Sequence, residues 1–260
     1  MTSPGRQVPE PPAAAAQRFA EDGFVVVRGL VPEALCDSVA AEVEASLHPV
    51  LAPAEFEADV GYPGAPDSRD AAGGDTPRRL LNAYSRFTGL RAPVTGAAVA
   101  EYLRAILNGR GVRLSQCHHN CVMTKYPGYS SVTLWHQDVR YWSFERPELV
   151  SLWLALGEET AENGALELIP GTHRQVFGAE RLDEAQFLRP ELPENQALIR
   201  EARTVELAKG DALLFHCRAF HAAGRNVTDR VKLSCVFTYH AEDNRPLPGT
   251  RSAQYASIPL

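Results

Sequence analysis

Apolar positions recur along this chain with two different periods, and the change falls near residue 112. Before it the spacing is helical. Ala13 to Asp22 predicts a short helix that Gly23 stops. Behind Pro32, Leu35, Val39, Val43 and Leu47 repeat at four-residue intervals and predict a second helix. Proline suits the first turn because its missing N–H would have no partner there. Between the two helices, Phe24-Val25-Val26-Val27 is a β-branched run and predicts a strand. Thr95 to Asn108 predicts a further helix. Beyond residue 112 short apolar runs take over: Arg113–Tyr126, Ser131–Asp138, Leu149–Leu156, Ala165–Ile169, Thr204–Leu207, Ala212–His216 and Val231–Tyr239. Turn signals such as Pro127-Gly128, Pro170-Gly171 and Lys209-Gly210-Asp211 separate them. Short strands without helices between them predict an antiparallel sandwich or barrel, with the helices gathered before it.

Two stretches have no period. Residues 1–11 are Pro-rich and polar and predict a disordered tail before a single domain spanning 12–260. Residues 52–78 are rich in Gly, Pro, Asp and Ala, and a loop that long inside a compact domain predicts a flexible flap. With 260 residues and 45% hydrophobic content, the chain has enough apolar side chain for a real core, which excludes disorder as its main state. A net charge of −6 argues against a general nucleic-acid binder. No apolar run approaches the length that spans a bilayer, and the N-terminus lacks a charged-then-apolar leader, so the expected location is the cytoplasm. Five cysteines, an odd number among apolar neighbours, predict buried thiols rather than a disulfide framework. In such a chain the acceptor-like Asn226-Val227-Thr228 carries no meaning.

The chemistry begins at His136-Gln137-Asp138. On a strand, residues two apart project from one face, so this imidazole and carboxylate can supply two ligands to one cation. Two His and one carboxylate on one face of a metal leave positions open for non-haem iron and O2 chemistry. A third ligand must come from another strand. A chance His-x-Asp match arises in roughly one chain in three of this composition, so the pair needs company. Such company follows Gly210-Asp211, where an apolar strand leads to His216 and then to His221. Eleven residues after His221, Lys232 opens the next apolar run. A cation there suits the far carboxylate of 2-oxoglutarate, whose keto-acid end chelates the metal. Arg230 shares its parity and is the reserve anchor.

The segments TLWHQDVRYW, VSLWLALGEETAENGALELIPGTHR and GDALLFHCRAFHAAGRN resemble the phytanoyl-CoA dioxygenase family of Fe(II)/2-oxoglutarate oxygenases. The opening FAEDGFVVVRGLVPEALCDSVAAEV is similar to the family's usual start, and the resemblance covers most of residues 17–240. It implies a mainly β fold with flanking helices, built on a double-stranded β-helix (a jelly-roll, cupin-like core). It also implies iron(II), 2-oxoglutarate and O2, with ascorbate in a supporting role, and release of succinate and CO2. Carried over by position, His136, Asp138 and His221 are the metal ligands and catalytic centre, and His216 is core. The family usually has Arg where this chain has Lys232, and Lys lacks the bidentate fork. Halogenating relatives carry a small residue at the position of Asp138, so a carboxylate there points to hydroxylation.

Further contacts follow from parity and from the resemblance. Gln116, His118 and Asn120 are placed on one face of their strand, lining the barrel, with Cys117, His119 and Cys121 on the other. The spacing Gln-x-x-x-Asn resembles the ectoine hydroxylase branch. Asn120, Trp153 and Thr133 are assigned to the cosubstrate beside Lys232, and Gln116, His118, Arg140 and Trp142 to the substrate. Their competing reading is ordinary barrel filling. The Cys-His-His-Asn-Cys run lacks a second ligand pair for a closed zinc site. His173 reads as a turn residue. Arg78, Arg79, Arg86 and Arg91 read as a solvated basic face or as contacts for an anionic substrate. The competing functions are a jelly roll that binds without catalysis and a cupin-type metal enzyme that does not use 2-oxoglutarate. The expected partner is a small-molecule or sugar- or lipid-linked substrate. The stretch YWSFERPELVSLW faintly resembles hydroxylases of the lipopolysaccharide sugar Kdo, and a secondary-metabolite intermediate is the other substrate class. The residues fix neither the substrate nor an oligomeric state.

Overall fold

The computed structural model describes residues 9–260, so most of the expected N-terminal tail lies outside the described residues. Helix α1 (Pro12–Asp22) ends on Gly23 at φ 86°, and β1 (Phe24–Val27) follows at once. Then come α2 (Glu33–Ala45), β2 (Ala54–Phe56), β3 (Pro77–Leu81), α3 (Ala83–Arg86), α4 (Thr88–Thr95) and α5 (Ala97–Ile106). The β region runs β4 (Val112–Lys125), β5 (Thr133–His136), β6 (Leu149–Ala155) and β7 (Leu166–Leu168). After α6 (Pro193–Ile199) it continues with β8 (Arg203–Val205), β9 (Ala212–His216), β10 (His221–Ala223), β11 (Lys232–Ala241) and β12 (Ile258–Pro259).

All pairings are antiparallel. The larger sheet has the order β1-β9-β6-β11-β4-β3-β2, with β12 also on β4; the smaller is β5-β10-β7-β8. Strands β6 and β11 are buried along their whole length because both their faces are covered. One face of the larger sheet (Val150, Leu152, Leu154, Phe237, Tyr239) packs against Phe19, Val39, Val43, Leu90 and Leu103 of the helices. The other face (Trp153, Ala155, Phe215, Val236) meets Leu166, Leu168, Val205 and Ala223 of the smaller sheet. Two antiparallel sheets closed face to face, with helices on one outer side, form a jelly roll.

Three expectations need adjustment. The stretch 52–78 is framed by β2 and β3, which extend the larger sheet and bury Glu57 and Arg78. The helix expected at Thr95–Asn108 is α5, slightly shorter at Ala97–Ile106, and a separate helix, α4 (Thr88–Thr95), precedes it unread. Strand β4 is interrupted: Asn120 pairs with Phe237 and Ser115 with Thr238, so residues 116–119 bulge out of the ladder. All five cysteines are free and buried. Among the described residues no helix is long and apolar enough to cross a membrane.

Candidate active site

A cavity of about 340 Å³ opens between the sheets, and the three sequence-assigned ligands meet in its wall. His136 ends β5 and is paired in register with His221, the first residue of β10. Asp138 opens a 3-10 turn, Asp138–Tyr141, just past the strand. The turn, rather than strand alternation, therefore aims this carboxylate. The His136 and His221 Nε2 atoms lie 3.7 and 3.6 Å from the same Asp138 Oδ1. All three residues are buried, with one potential ligand atom from each lying within 4.8 Å of the others.

The arrangement suits a cation. Each imidazole has its Nδ1 on a backbone carbonyl, His136 on Leu134 (2.8 Å) and His221 on Ala219 (3.1 Å). Those bonds require the Nδ1–H tautomer and leave both Nε2 lone pairs facing the common point. Asp138 Oδ2 accepts from the Ser151 hydroxyl at 3.2 Å, whereas Oδ1 is buried with no hydrogen-bond partner. Burial first, and then neighbouring His221, pushes His136 down to about 3, so its ring is neutral at physiological pH. Burial resists ionisation of Asp138, but the imidazoles of His119, His221 and His136 outweigh it and its pKa falls below the usual carboxylate value. A neutral His136 ring beside an ionised Asp138 is the protonation state a metal requires of these two ligands. His216 is excluded as a ligand: its Nδ1 accepts from the Arg218 amide at 3.0 Å, and its ring stacks near His173. His173 in turn bonds the Ala20 carbonyl and closes the Thr172–Arg174 turn.

Around this centre the structure sorts the remaining assignments. Trp153, Thr133, His118 and Trp142 line the cavity. Asn120 does not; its Oδ1 accepts from the Tyr84 amide at the start of α3. Gln116 turns away to the Ala256 carbonyl. Asn120 pairs with Phe237 on the helix-covered face, and the inner face of β4 carries His119 with Cys121, Met123 and Lys125; the bulge then brings His118 to the cavity as well. His119, assigned by parity to the opposite face, lies with Nδ1 3.6 Å from Asp138 Oδ2. Arg140 is absent from the wall and instead stacks on Tyr141 and Phe187, 4.7 and 4.2 Å from their ring centroids.

Lys232 is the main correction. Its ammonium donates to Glu159 Oε2 at 3.0 Å and to the Gly164 carbonyl at 2.9 Å, and it does not line the cavity. Glu159 also accepts from the Trp153 indole and from the Ser234 hydroxyl, so the cation is locked into a buried network. The reserve, Arg230, is on the surface with its side chain 89% exposed. The cation that does line the cavity is Lys125, at the end of β4. Its ammonium meets only carbonyls, those of Ser131 and Gly224, and burial, then Lys232 and Arg78, pushes it down to about 7. Gly164 leaves room for this side chain: at φ 78°, a Cβ there would fall 2.9 Å from Lys125 Cδ. Arg78 lies nearby, with Nη1 on Glu57 and on Ser131 Oγ (2.6 Å) and Nη2 on Thr133 Oγ1 (3.2 Å). The alternation Cys121, Met123, Lys125 on the inner face of β4 was the available signal for Lys125. Tyr62 from the 52–78 stretch and Phe187 from the loop before α6 meet edge to face, and Phe187 also packs on His136.

The sequence profile of the phytanoyl-CoA dioxygenase (PhyH) family matches residues 19–234. A probable alpha-ketoglutarate-dependent hypophosphite dioxygenase of Stutzerimonas stutzeri is 26% identical over 176 residues, 66% of this chain and 60% of that protein. The ectoine dioxygenase of Sphingopyxis alaskensis is 25% identical over 251 residues, 90% of this chain and 77% of the relative. Among solved structures, the epimerase SnoN in complex with Fe3+, alpha-ketoglutarate and nogalamycin RO superposes with a TM-score of 0.72 at 21% identity, covering 96% of this chain and 95% of its own. EctD from S. alaskensis with 2-oxoglutarate and 5-hydroxyectoine gives 0.73 at 18% identity, covering 93% and 80%. These two likenesses establish the jelly-roll fold, and the profile match establishes descent. The chain belongs to the phytanoyl-CoA dioxygenase family of Fe(II)/2-oxoglutarate oxygenases.

Proposed function

We propose that this protein hydroxylates an unactivated C–H bond of a small-molecule substrate, using O2 and 2-oxoglutarate and releasing succinate and CO2. The observation that carries the reading is the partnerless Asp138 Oδ1 facing two tautomer-locked imidazoles. His136, Asp138 and His221 would hold iron(II), which supplies O2 activation coupled to oxidative decarboxylation of the keto acid. Three protein ligands leave room for a chelating cosubstrate and for O2, and a carboxylate at Asp138 favours hydroxyl transfer over halide transfer. Lys125 receives the distal carboxylate of 2-oxoglutarate, since it is the lining cation whose ammonium faces only carbonyls. The Arg78–Thr133 pair orders the wall beside it. Phe187 covers His136, Tyr62 packs edge to face on Phe187, and together they shield the reacting centre from water. Their two loops close over the bound substrate. Relatives that act on ectoine and a neighbour that binds a nogalamycin compound support a small organic substrate.

The test is succinate release from 2-oxoglutarate by the iron-loaded protein, with Lys125→Met as the diagnostic variant. Losing a buried charge-assisted bond should raise the KM for 2-oxoglutarate roughly thirtyfold or more. The wild-type pH profile carries the same signature. Lys125 is cationic below its depressed pKa and neutral above it, so the KM should climb as pH rises beyond about 7. The Lys125→Met profile should lose that climb. A KM for Lys125→Met equal to that of wild type at every pH removes Lys125 from the cosubstrate site, and absence of succinate from wild type removes the function itself.

A further inference from the structure

With metal and cosubstrate assigned, the cavity still holds one cation without a partner among the described residues. Arg78 and Arg79 face Glu57 and Glu55, each at 3.2 Å. Arg251 also lines the cavity, yet among the described residues its guanidinium makes no ion pair and no hydrogen bond. It stands on the 3-10 turn Arg251–Ala253, beyond residue 234, where the family match ends. That turn is firmly seated. Ser252 is buried, and its hydroxyl oxygen pairs with His118 Nε2 at 2.7 Å and accepts from the Ser143 amide at 2.9 Å. Strand β12 then pairs with the start of β4. The backbone under Arg251 is thus fixed while its side chain reaches the solvent at the cavity rim.

Its position relative to the ligands follows from the register. Ser131, whose carbonyl takes Lys125, lies at one end of the segment that carries His136 and Asp138. Trp142 lies at the other end, its ring 5.4 Å from that of His118, the residue Ser252 holds. Lys125 and the Arg251 turn therefore stand at the two ends of the segment that carries His136 and Asp138. One arm suits a dicarboxylate reaching from the metal to Lys125. The other ends at an unpaired guanidinium beside an aromatic wall.

We propose that Arg251 is a specificity-determining residue that binds an anionic group, carboxylate or phosphoryl, on the substrate to be oxidised. The inference rests on the assignment of the Lys125 arm to 2-oxoglutarate. A guanidinium presents two parallel N–H donors to two oxygens of such a group, and the Trp142 face packs on the apolar body that carries it. The substrate class is then a small organic anion.

The test uses the full chain loaded with zinc in place of iron, with N-oxalylglycine filling the cosubstrate arm. Phenylacetate and phenyl phosphate are the probes, and phenylacetamide is the uncharged match. Binding is read from side-chain NMR shifts of His118 and Trp142. Saturable shifts with either anion are expected for wild type, at least about tenfold weaker in Arg251→Gln and largely restored in Arg251→Lys. The tighter anion distinguishes a carboxylate from a phosphoryl substrate. Equal anion binding by wild type and Arg251→Gln, equal binding of the amide, or no saturable binding of either anion overturns the proposal. Wild type and His136→Ala are assayed for succinate release alongside. If His136→Ala matches wild type, the iron reading has failed; if it is dead and Arg251→Gln still binds anions normally, only the Arg251 assignment falls.

Discussion

His136→Ala is expected to bind iron(II) on the order of a thousandfold more weakly than wild type and to release no succinate above background. The expectation comes from how completely the site is prepared. Hydrogen bonds from Nδ1 to Leu134 and Ala219 fix both imidazoles before any metal arrives, so no ring must reorient on binding. Asp138 Oδ1 sits 3.6–3.7 Å from both Nε2 atoms with no proton donor of its own. Removing one ring leaves a bidentate site that opens onto the cavity. Anaerobic titration calorimetry measures the loss, and the optical bands of bound cobalt(II) report it independently of turnover. His216→Ala is the control, because that ring bonds Arg218 and packs on His173 rather than facing the cavity. It should bind the metal within about twofold of wild type. Wild-type metal affinity in His136→Ala would mean that the three side chains do not share an ion.

The second large effect concerns stability. Glu159→Leu should lower the free energy of unfolding by about 3–5 kcal/mol, because it strands the buried Lys232 ammonium with only the Gly164 carbonyl. Side-chain exposures of 3% for Lys232 and 1% for Glu159 leave water no role in compensating the loss. For a chain of this size the corresponding fall in Tm is roughly 6–15 °C. The double variant Glu159→Leu/Lys232→Met should recover most of that, since a buried ion pair is often replaceable by apolar groups of similar volume. Recovery will be incomplete, as the Trp153 indole and the Ser234 hydroxyl lose their acceptor. Urea denaturation of the single and double variants measures both quantities. The double variant should also keep its KM for 2-oxoglutarate within about threefold of wild type, in contrast to Lys125→Met. A cost below about 1 kcal/mol for Glu159→Leu, or a large rise in KM for the double variant, would return Lys232 to the cosubstrate.

The two lysines show where reading along the chain reached its limit. Lys232 stands at the right distance in sequence from His221, and nothing local distinguishes it from an anchor. What distinguishes it is Glu159, 73 residues away, which loop closure delivers to its ammonium. Lys125 is the converse, a cation at the end of a long strand that burial and neighbouring positive charges make chemically distinctive. The choice of face in β4 met the same limit. Alternation in fact carries His119 inward with Cys121, Met123 and Lys125 and leaves Asn120 facing the helices, a choice of face that only the pairing of Asn120 with Phe237 reveals, while the looped-out residues add His118 to the cavity. Strand β10 went unread because His221-Ala222-Ala223 has no β-branched residue; its pairing with β5 and β7 makes it a strand.

With His221 supplied by the family resemblance, the amino-acid order by itself determined the two-part architecture, the long strands, the buried cysteines and the candidate His136–Asp138 pair. Each of these follows from short-range information: the period of apolar side chains, the punctuation by turns, and residue types at characteristic separations. Tertiary structure alone decided which cations are neutralised and which remain open, because ion pairing depends on through-space distances of a few ångströms between segments remote in the chain. It also decided that Asp138 is aimed by a turn rather than by a pleat, and that a C-terminal turn brings Arg251 to the cavity.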